Sequence, residues 1–246
     1  MLRLEASGVT VRFGGTVALD DVGVTVEPGM VTGLIGPNGA GKTTLFNVIS
    51  GLQQPSAGRV LLDGRDITSL APNRRAQLGV ARTFQRLELF ISMSVRDNIR
   101  VAGDIRNSWG RARRIKVNDE AERVITLTGL GDVADKDVAD IPTGRARVVE
   151  LARALMTGPA VLLLDEPASG QTEQETHAFG SLLRRLATED GLAVCLVEHD
   201  VALVMGVCDI IHVLDYGRTI AVGSPEQVRN DPQVIAAYLG SSEGAA

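Results

Sequence analysis

Eight residues constrain this chain more than any others. Gly36-Pro37-Asn38-Gly39-Ala40-Gly41-Lys42-Thr43 spell the pattern G-x-x-x-x-G-K-[ST], with Thr44 directly behind. The apolar run 30–35 ahead of them suits a short buried strand, and the run 43–49 reads as a helix. In that setting each residue type has a physical purpose. Glycines let backbone N–H groups curl around a polyphosphate with no Cβ in the way, and the helix N-terminus adds its partial positive charge. Lys42 reaches the β- and γ-phosphates, and the Thr43 hydroxyl is a ligand for Mg²⁺. The segment implies a nucleoside triphosphate site.

The flanking sequence predicts an α/β architecture around that loop. Val9, Val11 and Phe13 alternate, as do Val22, Val24 and Val26, with Gly14-Gly15 between the runs, so an antiparallel pair opens the chain. Residues 60–64 look like a strand entering a tight turn. From about Leu87 to Glu150 strand signals stop, and 94–102 and 118–128 show helical spacing. After Gly144 the alternation resumes. A helix runs to about Leu155, 161–164 is a fully apolar strand, and a capping box at Thr172 and Glu175 opens the next helix. The strand 192–197, a helix from Asp200 and a hairpin around Asp215-Tyr216-Gly217 follow. Ser224-Pro225 and Asp231-Pro232 each set a cap before a proline at the first helical position. This pattern predicts a single domain with a mostly parallel sheet core, an N-terminal antiparallel β subdomain and a helical insertion. Residues 1–86 and 151–246 would form the nucleotide-binding core and 87–150 the helical part.

Composition removes other classes. The formal charge of −5 argues against non-specific nucleic-acid binding, which needs many Lys and Arg on phosphates. No stretch approaches the roughly 18 apolar residues of a bilayer span, and Glu5 stands where a signal peptide would carry its apolar core. Cys195 and Cys208, in apolar contexts, read as buried reduced thiols, and the three histidines form no metal cluster. The short basic run 110–116 reads as solvated surface, and the tail 241–246 as frayed.

A second anchor is the apolar strand 161–164 running into Asp165-Glu166. Carboxylates at the C-terminal end of a buried strand lie where α/β sheets place ligands. Asp165 is suited to hold Mg²⁺ through water, and Glu166 to polarise the water that attacks a γ-phosphate.

With both anchors in place, the sequence resembles the ATP-binding-cassette (ABC) ATPases over nearly its whole length. Thr83-Phe84-Gln85 is similar to the family's Q-loop and Glu198-His199-Asp200 to its H-loop. The resemblance implies that Gln85 contacts Mg²⁺ and the attacking water, that His199 contacts the γ-phosphate, and that Phe13 lies under adenine. Within the family, Phe13-Gly14-Gly15, the run 36–47, the run 81–85, the run 151–155 and the ending Ala237-Tyr238-Leu239-Gly240 resemble the ATPase subunit of branched-chain amino-acid importers.

Two segments depart from the family pattern. Ile141-Pro142-Thr143-Gly144-Arg145 replaces the signature Leu-Ser-Gly-Gly-Gln, although Gly144 still opens a helix able to face an anion, and Arg145 could add charge. Thr172 stands where an aspartate is usual after Glu166. Both elements act across a dimer interface in the family. The resemblance therefore implies an ATP- and Mg²⁺-dependent ATPase with transmembrane permease partners and a second cassette, identical or different. It implies a cytoplasmic chain, peripheral on the inner face of the membrane. Export of lipid or lipopolysaccharide, import of another small solute, and soluble non-transport work are the alternatives.

Overall fold

The computed structural model describes residues 2–110 and 114–240. Residues 111–113 of the basic run and the tail 241–246 lie outside the described residues. Strands β1 (Leu4–Phe13) and β2 (Thr16–Val26) form the expected hairpin across Gly14-Gly15. With β4 (Ala57–Leu62) and the two-residue β5 (Arg65–Asp66) they make an antiparallel sheet of order β2-β1-β4-β5. Asp63 and Gly64 both have positive φ (51° and 78°), which matches the twist of a two-residue hairpin turn.

The second sheet carries the site. Its order is β10-β9-β3-β8-β7-β6, built from β3 (Val31–Ile35), β6 (Val80–Arg82), β7 (Val161–Asp165), β8 (Ala193–Val197), β9 (Ile210–Asp215) and β10 (Arg218–Gly223). All pairs are parallel except β9–β10 at one edge. The apolar runs are explained by burial on both faces. On β7, Leu162 and Leu164 enter one core and Val161 and Leu163 the other, and β8 divides in the same way. Helix α1 (Lys42–Ser50) covers the second core together with the antiparallel sheet.

The other core packs under α3 (Val95–Ser108), α4 (Val117–Thr128) and α5 (Thr143–Met156), and under α6 (Glu173–Thr188) and α7 (Val201–Val207). Ser94 caps α3 by accepting from the Asp97 N–H at 3.0 Å, and the Thr172–Glu175 capping box opens α6 as the sequence suggests. Pro225 and Pro232 begin α8 (Pro225–Arg229) and α9 (Pro232–Gly240). The elements not anticipated include α2 (Pro72–Gln77) and the edge strand β6. Both cysteines are buried and free, and burial pushes both thiols up, Cys208 to about 12.

Candidate nucleotide-binding site

Four parallel strands lie side by side in the order β3-β8-β7-β6, and every candidate catalytic segment leaves the carboxyl end of one of them. The phosphate loop follows β3, His199 follows β8, Asp165 ends β7 with Glu166 directly after it, and Gln85 follows β6. This is how residues far apart in sequence meet.

The loop's path depends on two glycines in particular. Gly36 has φ 149°, and a Cβ there would lie 2.1 Å from the Leu214 carbonyl oxygen. Gly41, the left-handed residue before α1 (φ 103°), would set a Cβ 2.6 Å from Leu19 Cδ2. No side chain caps the α1 N-terminus, so its N–H groups remain available to an anion. The β9–β10 turn braces the loop, since the Gly217 N–H donates to the Ala40 carbonyl at 3.1 Å.

Lys42 Nζ donates to the carbonyls of Gly36 (2.6 Å) and Pro37 (2.9 Å), which holds the ammonium along its own loop. Burial draws the Lys42 ammonium below its ordinary value, opposed by the charges of Glu166 and Asp165. A cleft of about 270 Å³ is lined by Asn38, Gly39, Ala40, Gly41, Lys42, Thr43, Thr44, Gln85 and Glu166, with Ala18 from β2. Nine residues chosen from sequence therefore share one cleft, and Ala18 is the addition.

Among the described residues, Glu166 is one of four non-glycine residues with positive φ (49°). Its N–H donates to the Val197 carbonyl at 2.9 Å, which ties the strained residue to β8. The Glu166 carboxylate accepts from Gln85 Nε2 at 3.1 Å and lies 4.0 Å from His199 Nδ1. The His199 ring itself is 72% exposed. Asp165 is buried, 3% exposed, outside the cleft lining and paired with Arg82 at 2.9 Å.

Phe13 and Gly144 lie outside the lining of this cleft. Phe13 is half exposed at the end of β1 and does not line the cleft. Gly144 is buried near the start of α5, where a Cβ would meet Gln171 and Glu175 at 3.1 and 3.3 Å. Beside it, Arg145 turns back to Asp132 and the Gly129 carbonyl, so its charge is already engaged within the chain.

Several contacts that hold these segments were not foreseen from sequence. Glu198 is buried and accepts the N–H groups of Ala168 (2.8 Å) and His199 (3.1 Å), linking the segments after β7 and β8, and burial raises its carboxyl. Arg147, on α5, donates to the carbonyls of Phe84 (3.0 Å) and Gln85, while Glu150 accepts the Glu88 N–H at 2.9 Å and Arg153 donates to the Glu88 carbonyl. Their i, i+3, i+6 spacing on α5 is the one sequence signal that could have exposed this charged face.

Fold and site together define an α/β P-loop nucleotide-binding cassette. The profile of the ABC transporter family matches residues 19–169, and that of the branched-chain amino acid ATP-binding cassette transporter family matches 218–244. The chain is 39% identical to the high-affinity branched-chain amino acid transport ATP-binding protein BraF of Pseudomonas aeruginosa, over 97% of this chain and 98% of that protein. It is 37% identical to LivG of Escherichia coli, a protein of the same description, over the same shares. The crystal structure of an ATP-binding cassette of an ABC transporter in its ADP conformation superposes with a TM-score of 0.86 at 29% identity, covering 98% of this chain and 99% of that one. The chain belongs to the ABC transporter family and is an ATPase cassette that binds ATP. Among the described residues no helix is long and apolar enough to cross a membrane.

Proposed function

We propose that this chain hydrolyses Mg²⁺-bound ATP to drive uptake of branched-chain amino acids through permease subunits, docked on their cytoplasmic face. The observation that carries the substrate class is 39% identity to BraF along nearly the full length of both proteins. The C-terminal match at 218–244 supports it from a separate part of the chain.

In this reading the phosphate loop from Gly36 to Thr44 binds the polyphosphate, and Lys42 exchanges its loop carbonyls for phosphate oxygens. Thr43, Gln85 and Asp165 present only oxygen donors, which suits a hard cation. Among the described residues no cluster of three His, Cys, Asp or Glu could hold a metal. Mg²⁺ keeps water and phosphate in its shell rather than an all-protein cage. Bound there, Mg²⁺ would supply positive charge to offset that of the triphosphate. Glu166 orients and polarises the attacking water, Gln85 holds that carboxylate in place, and His199 reaches the γ-phosphate. Phe13 stacks under adenine, and Gly144 faces the nucleotide of a second cassette. Residues 87–150 act as a helical subdomain on the core formed by 1–86 and 151–246.

The exposed apolar side chains of Phe84, Leu87, Phe90, Ile91 and Ile105 supply a surface for an apolar permease segment. Contact there would reach Gln85 through the α5 clamp of Arg147 and Glu150. Pro142, Thr143 and Thr172 at the expected dimer face favour a different cassette as partner over a second copy.

The test is reconstitution with branched-chain amino-acid permease subunits, a second cassette and a solute-binding protein. ATP-dependent leucine uptake into proteoliposomes is expected with the wild type and none with Lys42→Ala. Coupled uptake of an unrelated solute with no transport of leucine, isoleucine or valine would overturn the substrate assignment.

A further inference from the structure

We infer that Arg82 is a positioning residue for the Asp165 carboxylate, fastening it at once to the phosphate-loop helix and to the Gln85 segment. The inference rests on Asp165 serving the metal side of the site, as proposed above, and it assigns a role to a residue that the phosphate chemistry leaves unused.

The geometry is specific. Arg82 ends β6, and its side chain is only 7% exposed. Nη2 donates to Asp165 Oδ2 at 2.9 Å, while the Asp165 N–H donates to Thr83 Oγ1 at 3.4 Å, so the end of β6 and the residue after it hold both side chain and backbone of the aspartate. Nη1 donates to Asn47 Oδ1 at 2.7 Å and to Ser50 Oγ at 2.9 Å, both on the helix that begins at Lys42. The guanidinium carbon lies 5.6 Å from the Phe46 ring centre and 5.2 Å from that of Phe84, the residue before Gln85.

One planar cation therefore spans three pieces of the machinery. A guanidinium can do this because its donors diverge in a fixed plane and its faces stack on aromatic rings. A lysine ammonium offers neither feature. Burial lowers the Arg82 pKa, Asp165 opposes that shift, and an arginine stays charged at neutral pH. A carboxylate that holds Mg²⁺ through water has to present its oxygens in a narrow range of directions. Loss of a group that orients such a ligand typically weakens metal affinity about 10- to 100-fold. The same contacts mean that a shift of the phosphate-loop helix, or of Phe84, is felt directly at Asp165.

Binding of a fluorescent ATP analogue to the purified full-length chain tests this, once in EDTA and once as Mg²⁺ is titrated in. For Arg82→Lys we expect unchanged affinity in EDTA and an Mg²⁺ midpoint raised about tenfold or more. Where that variant does not fold, Asn47→Ala combined with Ser50→Ala frees the far end of the fork and should move the midpoint in the same direction. An unchanged midpoint in the folded variant, or an equal loss of affinity with and without metal, overturns the inference. Absence of any binding by wild-type protein in EDTA would instead overturn the phosphate-loop reading on which it stands.

Discussion

Replacing Glu166 by glutamine separates chemistry from binding at this site. The substitution is isosteric, and the new amide oxygen can still accept from Gln85 Nε2, the 3.1 Å contact of the wild type. The left-handed backbone (φ 49°) costs glutamine about what it costs glutamate, so folding stability should stay within about 0.5 kcal/mol. What disappears is the only property that lets residue 166 take a proton from water. General-base assistance contributes about 10²- to 10⁴-fold, equivalent to about 2.7–5.4 kcal/mol of barrier. The lost carboxylate also stood beside the phosphate cleft, where like charges about 4 Å apart repel by up to about 4 kcal/mol at an effective dielectric near 20. ATP should consequently bind as well as before or more tightly. Phosphate release at saturating ATP measures the first effect, and nucleotide titration with size-exclusion chromatography measures the second. The expected outcome is turnover reduced at least a hundredfold, with an ATP-bound pair of cassettes accumulating when the partner cassette is present. Turnover within twofold of wild type would refute Glu166 as the base.

Three further outcomes follow from the packing. Gly36→Ala would drive a Cβ to 2.1 Å from the Leu214 carbonyl, so the loop must move, and ATP affinity measured by titration should fall at least tenfold. Arg75 is buried and donates to the carbonyls of Val48, Ile49, Thr68 and Leu70, and burial pushes its pKa down to about 10, which leaves it charged at neutral pH. Arg75→Met strands those carbonyls, two of them in the last turn of α1, and should cost about 3–5 kcal/mol in urea denaturation. His212 is buried and its pKa is lowered, with burial the main cause. The folded state therefore binds a proton less readily than the unfolded chain. The contribution is fully present above the ordinary value of 6.5 and is lost as pH falls through the lowered folded value. Stability should drop by up to about 1.4 kcal/mol per pH unit in that window, and His212→Gln should flatten the dependence.

How much was legible in advance depended on the range of the interaction. The phosphate loop and the strand running into Asp165-Glu166 were readable because their chemistry is written in contiguous residues. The Thr172–Glu175 capping box and the prolines opening α8 and α9 were readable for the same reason, since a cap is satisfied within one turn. The three residues of β6 carry too short a pattern for alternation to register, and their strand exists because β7 offers them a parallel edge. Arg145 was open to reading as a free charge at the start of α5, but Asp132, thirteen residues earlier, engages it.

Sequence alone determined that this chain would cradle a polyphosphate, that a carboxylate pair would end a buried strand, and that helices would interrupt the sheet pattern between them. Tertiary structure decided what surrounds that chemistry. Arg82 meets Asp165 across 83 positions, Gln85 meets Glu166 across 81, and Arg147 grips the Phe84 carbonyl across 63. The physical reason is that capping, turn and loop preferences act between near neighbours, whereas these pairings exist only after parallel strands bring their carboxyl ends into one row.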